Sequence, residues 1–179
     1  QGPSVRQLPT SPAGATASAF RRVPRASSGC PVMAVSITVI DDLDRCVRAT
    51  LAAIHEESAT VAYAHIFDSP FPTEDTRQRW DRYEGSVAVA RDVDAVIGFV
   101  AWYDDECDAL YVRPSAAGAG VGGLLLEKAS TARRLWVLAD NENARSFYAR
   151  RGWTPSGLTR RQNGDVQELE YVRDLPSLG

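Results

Sequence analysis

The sequence predicts a mixed α/β fold, a mainly antiparallel central sheet flanked by helices. Three observations predict it. Short runs with period-2 or continuous apolar character recur at 35–40, 87–91, 95–103, 107–112, 135–139, 153–160 and 165–173, as expected for strands. Stretches with helical spacing of apolar residues lie between several of them, the pattern of helices covering a sheet. The three runs from 87 to 112 follow one another through connections too short for a crossover, so they read as antiparallel neighbours.

Taken in order, the run at 35–40 is the first strand. Asp41 or Asp42 then caps a helix to about residue 59, in which Leu43, Cys46, Val47, Leu51 and Ile54 share one face. Residues 64–72, with Pro70 and Pro72, read as a loop, and Thr73 caps a second helix to about residue 83. After the three hairpin strands come a glycine-rich segment at 118–123, a short apolar helix to about residue 130, a strand over 135–139 and a helix over 141–151. The last two strands meet at Asn163-Gly164, a pair suited to the positive φ angles of a tight hairpin turn.

The chain has 179 residues, enough for one domain with a core that needs no disulfide staples. No apolar run approaches the roughly 20 residues of a membrane span. Cys30, Cys46 and Cys107 form no C-x-x-C pair, which argues against a disulfide framework or a zinc site and makes a reducing, cytoplasmic setting the default expectation. Residues 1–32 differ in composition. They carry five of the ten prolines, four arginines and no acid, and read as a leader, a tag-like or disordered extension, ahead of a domain over 33–179. A transit peptide, an upstream extension before a start at Met33, and an arm that orders against a neighbour all fit. The bias of 19 Arg to one Lys suggests a GC-rich bacterial source and favours the second. The domain itself holds 16 basic and 23 acidic residues, a net −7. An acidic body argues against nucleic-acid binding and favours a cationic substrate.

The segment Gly118-Ala119-Gly120-Val121-Gly122-Gly123 opens a helix with converging backbone N–H groups, an arrangement suited to a diphosphate. Gly118, Gly120 and Gly123 also satisfy G-x-G-x-x-G, with Asp140 placed 22 residues on, so a NAD(P)-binding oxidoreductase is the alternative. Against it, five residues separate the loop from its strand, and too little chain follows Asp140 to complete a doubly wound domain.

Two further stretches carry a more specific resemblance. Ala109-Leu110-Tyr111-Val112-Arg113-Pro114 precedes the glycine loop, and Asn143-Ala144-Arg145-Ser146-Phe147-Tyr148 is followed by Arg151-Gly152-Trp153. In this order they resemble the GCN5-related N-acetyltransferase (GNAT) family over about 35–175. The resemblance implies a GNAT-like acyl-CoA N-acyltransferase fold, acetyl-CoA as cosubstrate, and transfer to an amine-bearing acceptor through a ternary complex. It also implies that the N–H groups of Ala117, Gly118, Ala119, Gly120, Val121, Gly122 and Gly123 hold the diphosphate. The edge of Leu110-Tyr111-Val112 would pair with the pantetheine arm, with Asn143 bonding that arm and Tyr148 acting as general acid. The Val112 N–H would meet the oxyanion. Two departures stand out: Ala117 occupies a place usually held by Arg or Gln, and the connection from 122 to 135 is short. A non-catalytic acyl-CoA-binding protein is therefore a further alternative, and a homodimer is compatible with the fold.

Acetyl transfer also needs a base, because an amine of pKa about 10.4 is neutral only about once in 2,500 molecules at pH 7. The acidic cluster 104–108 supplies candidates, Glu106 first and Asp108 second. Strict alternation puts Glu106, Asp108 and Leu110 on one face, with Cys107, Ala109 and Tyr111 on the other. His55 falls where resembling enzymes place the acceptor, although a packed histidine is commoner. His65, Phe67 and Phe71 form a candidate lid, and Trp80, Trp102 and Tyr103 a candidate wall. Cys107, without a histidine partner in the pattern, reads as an inert thiol.

Overall fold

A computed structural model describes residues 19–23, 33–66, 70–162 and 166–174. Strands β1 (Ala19–Val23) and β2 (Met33–Ile40) lead into helices α1 (Arg45–Ala62) and α2 (Thr73–Asp81). The hairpin series β3 (Ser86–Asp92), β4 (Ala95–Tyr103) and β5 (Glu106–Val112) follows. Helix α3 (Val121–Leu126), β6 (Arg134–Leu138), α4 (Glu142–Ala149), β7 (Thr154–Gln162) and β8 (Val166–Val172) complete the chain. One sheet runs β1-β2-β3-β4-β5-β6-β8-β7, and β5 with β6 is its single parallel pair among the described residues. A doubly wound dinucleotide sheet is thereby excluded.

Two apolar layers cover the sheet. Leu51, Ile54, Trp80, Val87, Val89, Phe99 and Ala101 join α1 and α2 to one face. Val35, Val100, Val121, Leu125, Leu135 and Trp153 join α3 and α4 to the other. Burial of these side chains, worth roughly 1.5–3 kcal/mol each, sets where the helices dock.

Several sequence expectations are corrected. The cap of α1 is Asp44, whose carboxylate accepts from Val47 N at 2.8 Å; Asp41 and Asp42 precede it. Thr73 caps nothing, since its hydroxyl donates to Glu56 Oε1 at 2.8 Å and Pro72 precedes the helix without a side-chain cap. Helix α3 has only six residues and stops at Leu126, which explains the short connection to β6. Arg173 closes that connection by donating to the Ala129 and Ala132 carbonyls at 2.9 Å each, with its guanidinium over the Trp153 ring. Residues 19–23, inside the compositional leader, pair antiparallel with β2 as an edge strand. Asn163-Gly164 lies outside the described residues, although β7 and β8 pair antiparallel on either side of it.

Arg48 ties α1 to the end of α2. Its guanidinium donates to the carbonyls of Leu43, Trp80, Asp81 and Tyr83 at 2.7–3.0 Å, three of them orphan acceptors at or just past a helix end. Arg48→Met keeps the aliphatic stem and removes the donors. It is expected to lower unfolding free energy by about 2 kcal/mol in urea denaturation; an unchanged midpoint would show that water replaces the guanidinium.

Candidate active site

The site begins where two strands part. β5 and β6 pair only at Glu106↔Arg134 and Cys107↔Leu135; beyond Cys107 they diverge and leave an opening. On its other edge β5 is paired with β4 through Val112, and Arg113 N donates to Ile97 O at 2.8 Å. The alternation of an antiparallel ladder then turns the backbone groups of Ala109 and Tyr111 toward β4 and those of Leu110 and Val112 toward the opening. The Val112 carbonyl accepts from Ser58 Oγ at 3.1 Å, while the Leu110 and Val112 N–H groups face the gap.

A β-bulge aims the side chains there. Ala101 pairs with Ala109 and Trp102 with Cys107, so Asp108 has no partner on β4. Strict alternation therefore fails. Cys107, Leu110 and Val112 belong to the α3/α4 layer, whereas Ala109 and Tyr111 belong to the α1/α2 layer. Asp108 also turns toward α2, where it accepts from the Tyr83 hydroxyl at 2.9 Å. Cys107 is buried, and burial pushes its thiol up to about 12, so the expected inert thiol fits.

The glycine loop supplies fewer free donors than the resemblance implies. Ala117 N donates to Pro114 O, Ala119 N to Ala116 O and Gly123 N to Gly120 O, at 3.1–3.4 Å. The groups left for a ligand are the N–H donors of Gly118, Gly120, Val121 and Gly122, the last two in the unpaired first turn of α3. Gly118 at φ 76° and Gly120 at φ 82° turn the chain into this shape, a conformation glycine adopts without steric cost. Ala119 is buried and anchors the loop. This cradle, open at Gly118, fits an anionic diphosphate.

On α4, Asn141 is the cap, accepting from Ala144 N at 3.0 Å. Asn143 is exposed in the first turn. Tyr148 packs against Phe147 and Trp153 with ring centroids 5.1 and 6.1 Å away. Burial pushes its phenol well above the usual tyrosine value, with the neighbouring Cys107 and Tyr63 adding to the shift.

The two candidate bases are both engaged. Glu106 pairs with Arg134 at 3.2 Å. Burial raises its carboxyl, partly offset by that arginine. Residues that sequence reasoning missed lie on the same face. Glu168 is only 7% exposed, bonded to Arg160 Nε at 2.5 Å, and Glu170 accepts from Ser156 Oγ at 2.6 Å. Arg79 donates to the Asp108 carbonyl at 3.1 Å. The Tyr63 hydroxyl is hydrogen-bonded to that of Tyr111. Period 2 in β8 would have paired Glu168 with Glu170, but nothing in the sequence placed β8 beside β6.

His55 is 7% exposed. Its Nδ1 accepts from Trp80 Nε1 at 3.1 Å, and its ring stacks on Tyr111 at 4.1 Å. Trp80 belongs to the core, Trp102 packs on the α3/α4 layer, and Tyr103 is exposed, so the expected wall does not form. His65 is exposed, Phe71 meets His55 edge-on at 5.6 Å, and Phe67 lies outside the described residues. Among the described residues, no three His, Cys, Asp or Glu converge on a metal position, and no helix is long and apolar enough to cross a membrane.

Burial, with Arg79 nearby, lowers His55 to about 3. The unfolded chain therefore binds more protons between about pH 3 and 6.5, and stability rises with pH through that window. Moving from pH 7 to pH 5 is expected to cost about 2 kcal/mol at this residue. His55→Asn should flatten that slope in urea titrations; an equal slope in both proteins would place the histidine in water.

Comparison with known proteins agrees with this geometry. The profile of the GNAT acetyltransferase domain matches residues 83–155, a stretch that starts at the Tyr83 partner of Asp108 and includes Trp153. Apo YjaB from Escherichia coli superposes with a TM-score of 0.64 at 23% identity, covering 78% of this chain and 97% of that one. A GCN5-related N-acetyltransferase from Rhodopseudomonas palustris gives 0.62 at 24% identity, covering 82% and 100%. The PaiA N-acetyltransferase of Thermoplasma acidophilum, solved with coenzyme A, gives 0.57 at 20%, covering 76% and 99%. A sequence search of curated proteins finds no match. The parted strands and the glycine loop thus belong to a fold shared with N-acetyltransferase structures, and residues 83–155 match the GNAT acetyltransferase domain.

Proposed function

We propose that this chain transfers the acetyl group of acetyl-CoA to a primary amine by direct attack within a ternary complex. The opening between β5 and β6 carries the reading, because β5 pairs with β6 at Glu106 and Cys107 alone and leaves the main-chain donors of Leu110 and Val112 without a strand partner on that edge. The N–H groups of Gly118, Gly120, Val121 and Gly122 would hold the diphosphate. The free edge at Leu110 and Val112 would pair with the pantetheine arm as an added strand, with Asn143 at the mouth. The Val112 N–H would meet the oxygen of the tetrahedral intermediate.

Tyr148, packed in the α3/α4 layer, would reach the opening from the α4 side. Its burial keeps the phenol protonated at neutral pH, the state needed to hand a proton to a departing thiolate. Glu106, whose carboxyl is raised by burial, would take the amine proton directly or through water, with Asp108 second. The face an acceptor would approach carries Asp105, Glu106, Asp108, Glu168 and Glu170 against Arg79, Arg134 and Arg160. That excess of acid favours a cationic small molecule, polyamine or peptide amine.

The test is thiol release from acetyl-CoA with spermidine, tryptamine and a lysine-containing tripeptide. Tyr148→Phe is expected to cut turnover about 10²–10⁴-fold with acetyl-CoA affinity retained; unchanged turnover would remove the acid assignment. Glu106→Gln should abolish the acidic limb of the pH–rate profile, and an identical profile would remove Glu106 from the mechanism. Raising the ionic strength should raise the spermidine KM. Acetyl-CoA binding with no thiol release from any amine would instead identify an acyl-CoA sensor.

A further inference from the structure

Resting on the acetyl-transfer reading above, we propose that Tyr63 is an acceptor-site residue and that His55 positions it through Tyr111. The phenol of Tyr63 would orient the incoming amine by accepting one of its N–H groups.

A pillar of aromatic rings, Trp80, His55, Phe71 and Tyr111, stands beside β5. Trp80 is fully buried, and its indole N–H donates to His55 Nδ1. An imidazole that accepts at Nδ1 carries its proton on Nε2, so the tautomer is fixed. The ring then lies nearly parallel to Tyr111, 22° between planes, while Phe71 closes its edge. With one ring face against Tyr111 and one nitrogen locked by Trp80, His55 has little rotational freedom. It fixes the plane in which the Tyr111 side chain lies.

Tyr111 stands on the stretch of β5 that β6 does not cover. Its hydroxyl bonds to that of Tyr63, the residue that ends α1 and whose own N–H is tied to Ala59 O at 2.8 Å. Tyr63 thus lies on the α1/α2 side of the opening, and Tyr148 on the α3/α4 side. Ionising one phenol would raise the pKa of the other, which places the two hydroxyls near one another. The glycine loop that would hold acetyl-CoA opens α3, so a nucleophile would approach from the opposite, α1/α2 side, past the Tyr63–Tyr111 pair. Simple core packing accounts for the stack of rings. It gives no reason for two phenols to be joined beside the opening.

Tyr63→Phe removes one oxygen and keeps the ring. With whichever of spermidine, tryptamine or the tripeptide turns over fastest, it is expected to lower kcat/KM for the amine about tenfold, mostly through KM, with acetyl-CoA affinity unchanged. His55→Asn keeps an acceptor for the Trp80 N–H and removes the ring beneath Tyr111; it is expected to show the same loss. The double variant should be no worse than Tyr63→Phe alone, because both changes break one pathway. Wild-type kinetics in Tyr63→Phe, or losses that multiply in the double variant, would overturn the proposal. Near-UV circular dichroism of each variant separates a misfolded chain from a mispositioned phenol, and Tyr63→Phe alone decides the matter if His55→Asn unfolds. A wild-type chain that binds acetyl-CoA but acetylates none of the amines defeats the transferase reading, and this proposal with it.

Discussion

Two parallel strands that pair for only two residues and then separate are the constraint on which the rest of the structure depends. A sheet normally hides its main-chain donors in ladders, because an unpaired buried N–H is costly. Here β5 gives up its ladder to β6 after Cys107 and leaves the donors of Leu110 and Val112 for something else to satisfy. The hairpin with β4 keeps β5 rigid while its other edge is open. An extended ligand arm in that gap would restore the missing pairing.

The bulge at Asp108 decides what faces the gap. An extra residue in one strand reverses the parity of everything before it relative to everything after it. Cys107 therefore sits in the same layer as Leu110, and Tyr111 turns to meet His55 and Tyr63. The proton chemistry follows from burial. Desolvation pushes the Tyr148 phenol and the Glu106 carboxyl up, and in the proposed reaction these would be the donor and the base. In His55 the same effect holds the imidazole neutral, so it serves as a wedge between Trp80 and Tyr111.

Most elements were legible from period and punctuation, since strands buried on alternate or both faces announce themselves through Val, Ile, Phe and Trp. The central hairpins, the two long N-terminal helices and α4 lie within a few residues of where their patterns put them. The misses have local causes. Asp44 wins the cap over Asp41 and Asp42 because the extended chain runs three residues further before turning. No alternation count can reveal Asp108 as a bulge, because an unpaired residue looks like any other in one strand read alone. The Tyr63–Tyr111 contact joins the end of α1 to β5, a juxtaposition that depends on how the helix crosses the sheet.

Together the parted strands and the glycine loop would form one continuous ligand surface. Backbone amide shifts in a ¹⁵N-labelled sample titrated with acetyl-CoA test this directly. The largest changes are expected at Leu110, Val112, Gly118, Gly120, Val121 and Gly122, with smaller ones at Ala117, Ala119 and Gly123, whose donors are already used. Shifts confined to the separate 590 Å³ groove lined by Thr50, Glu57, Arg91 and Asp94, or none at saturating acetyl-CoA, would contradict it.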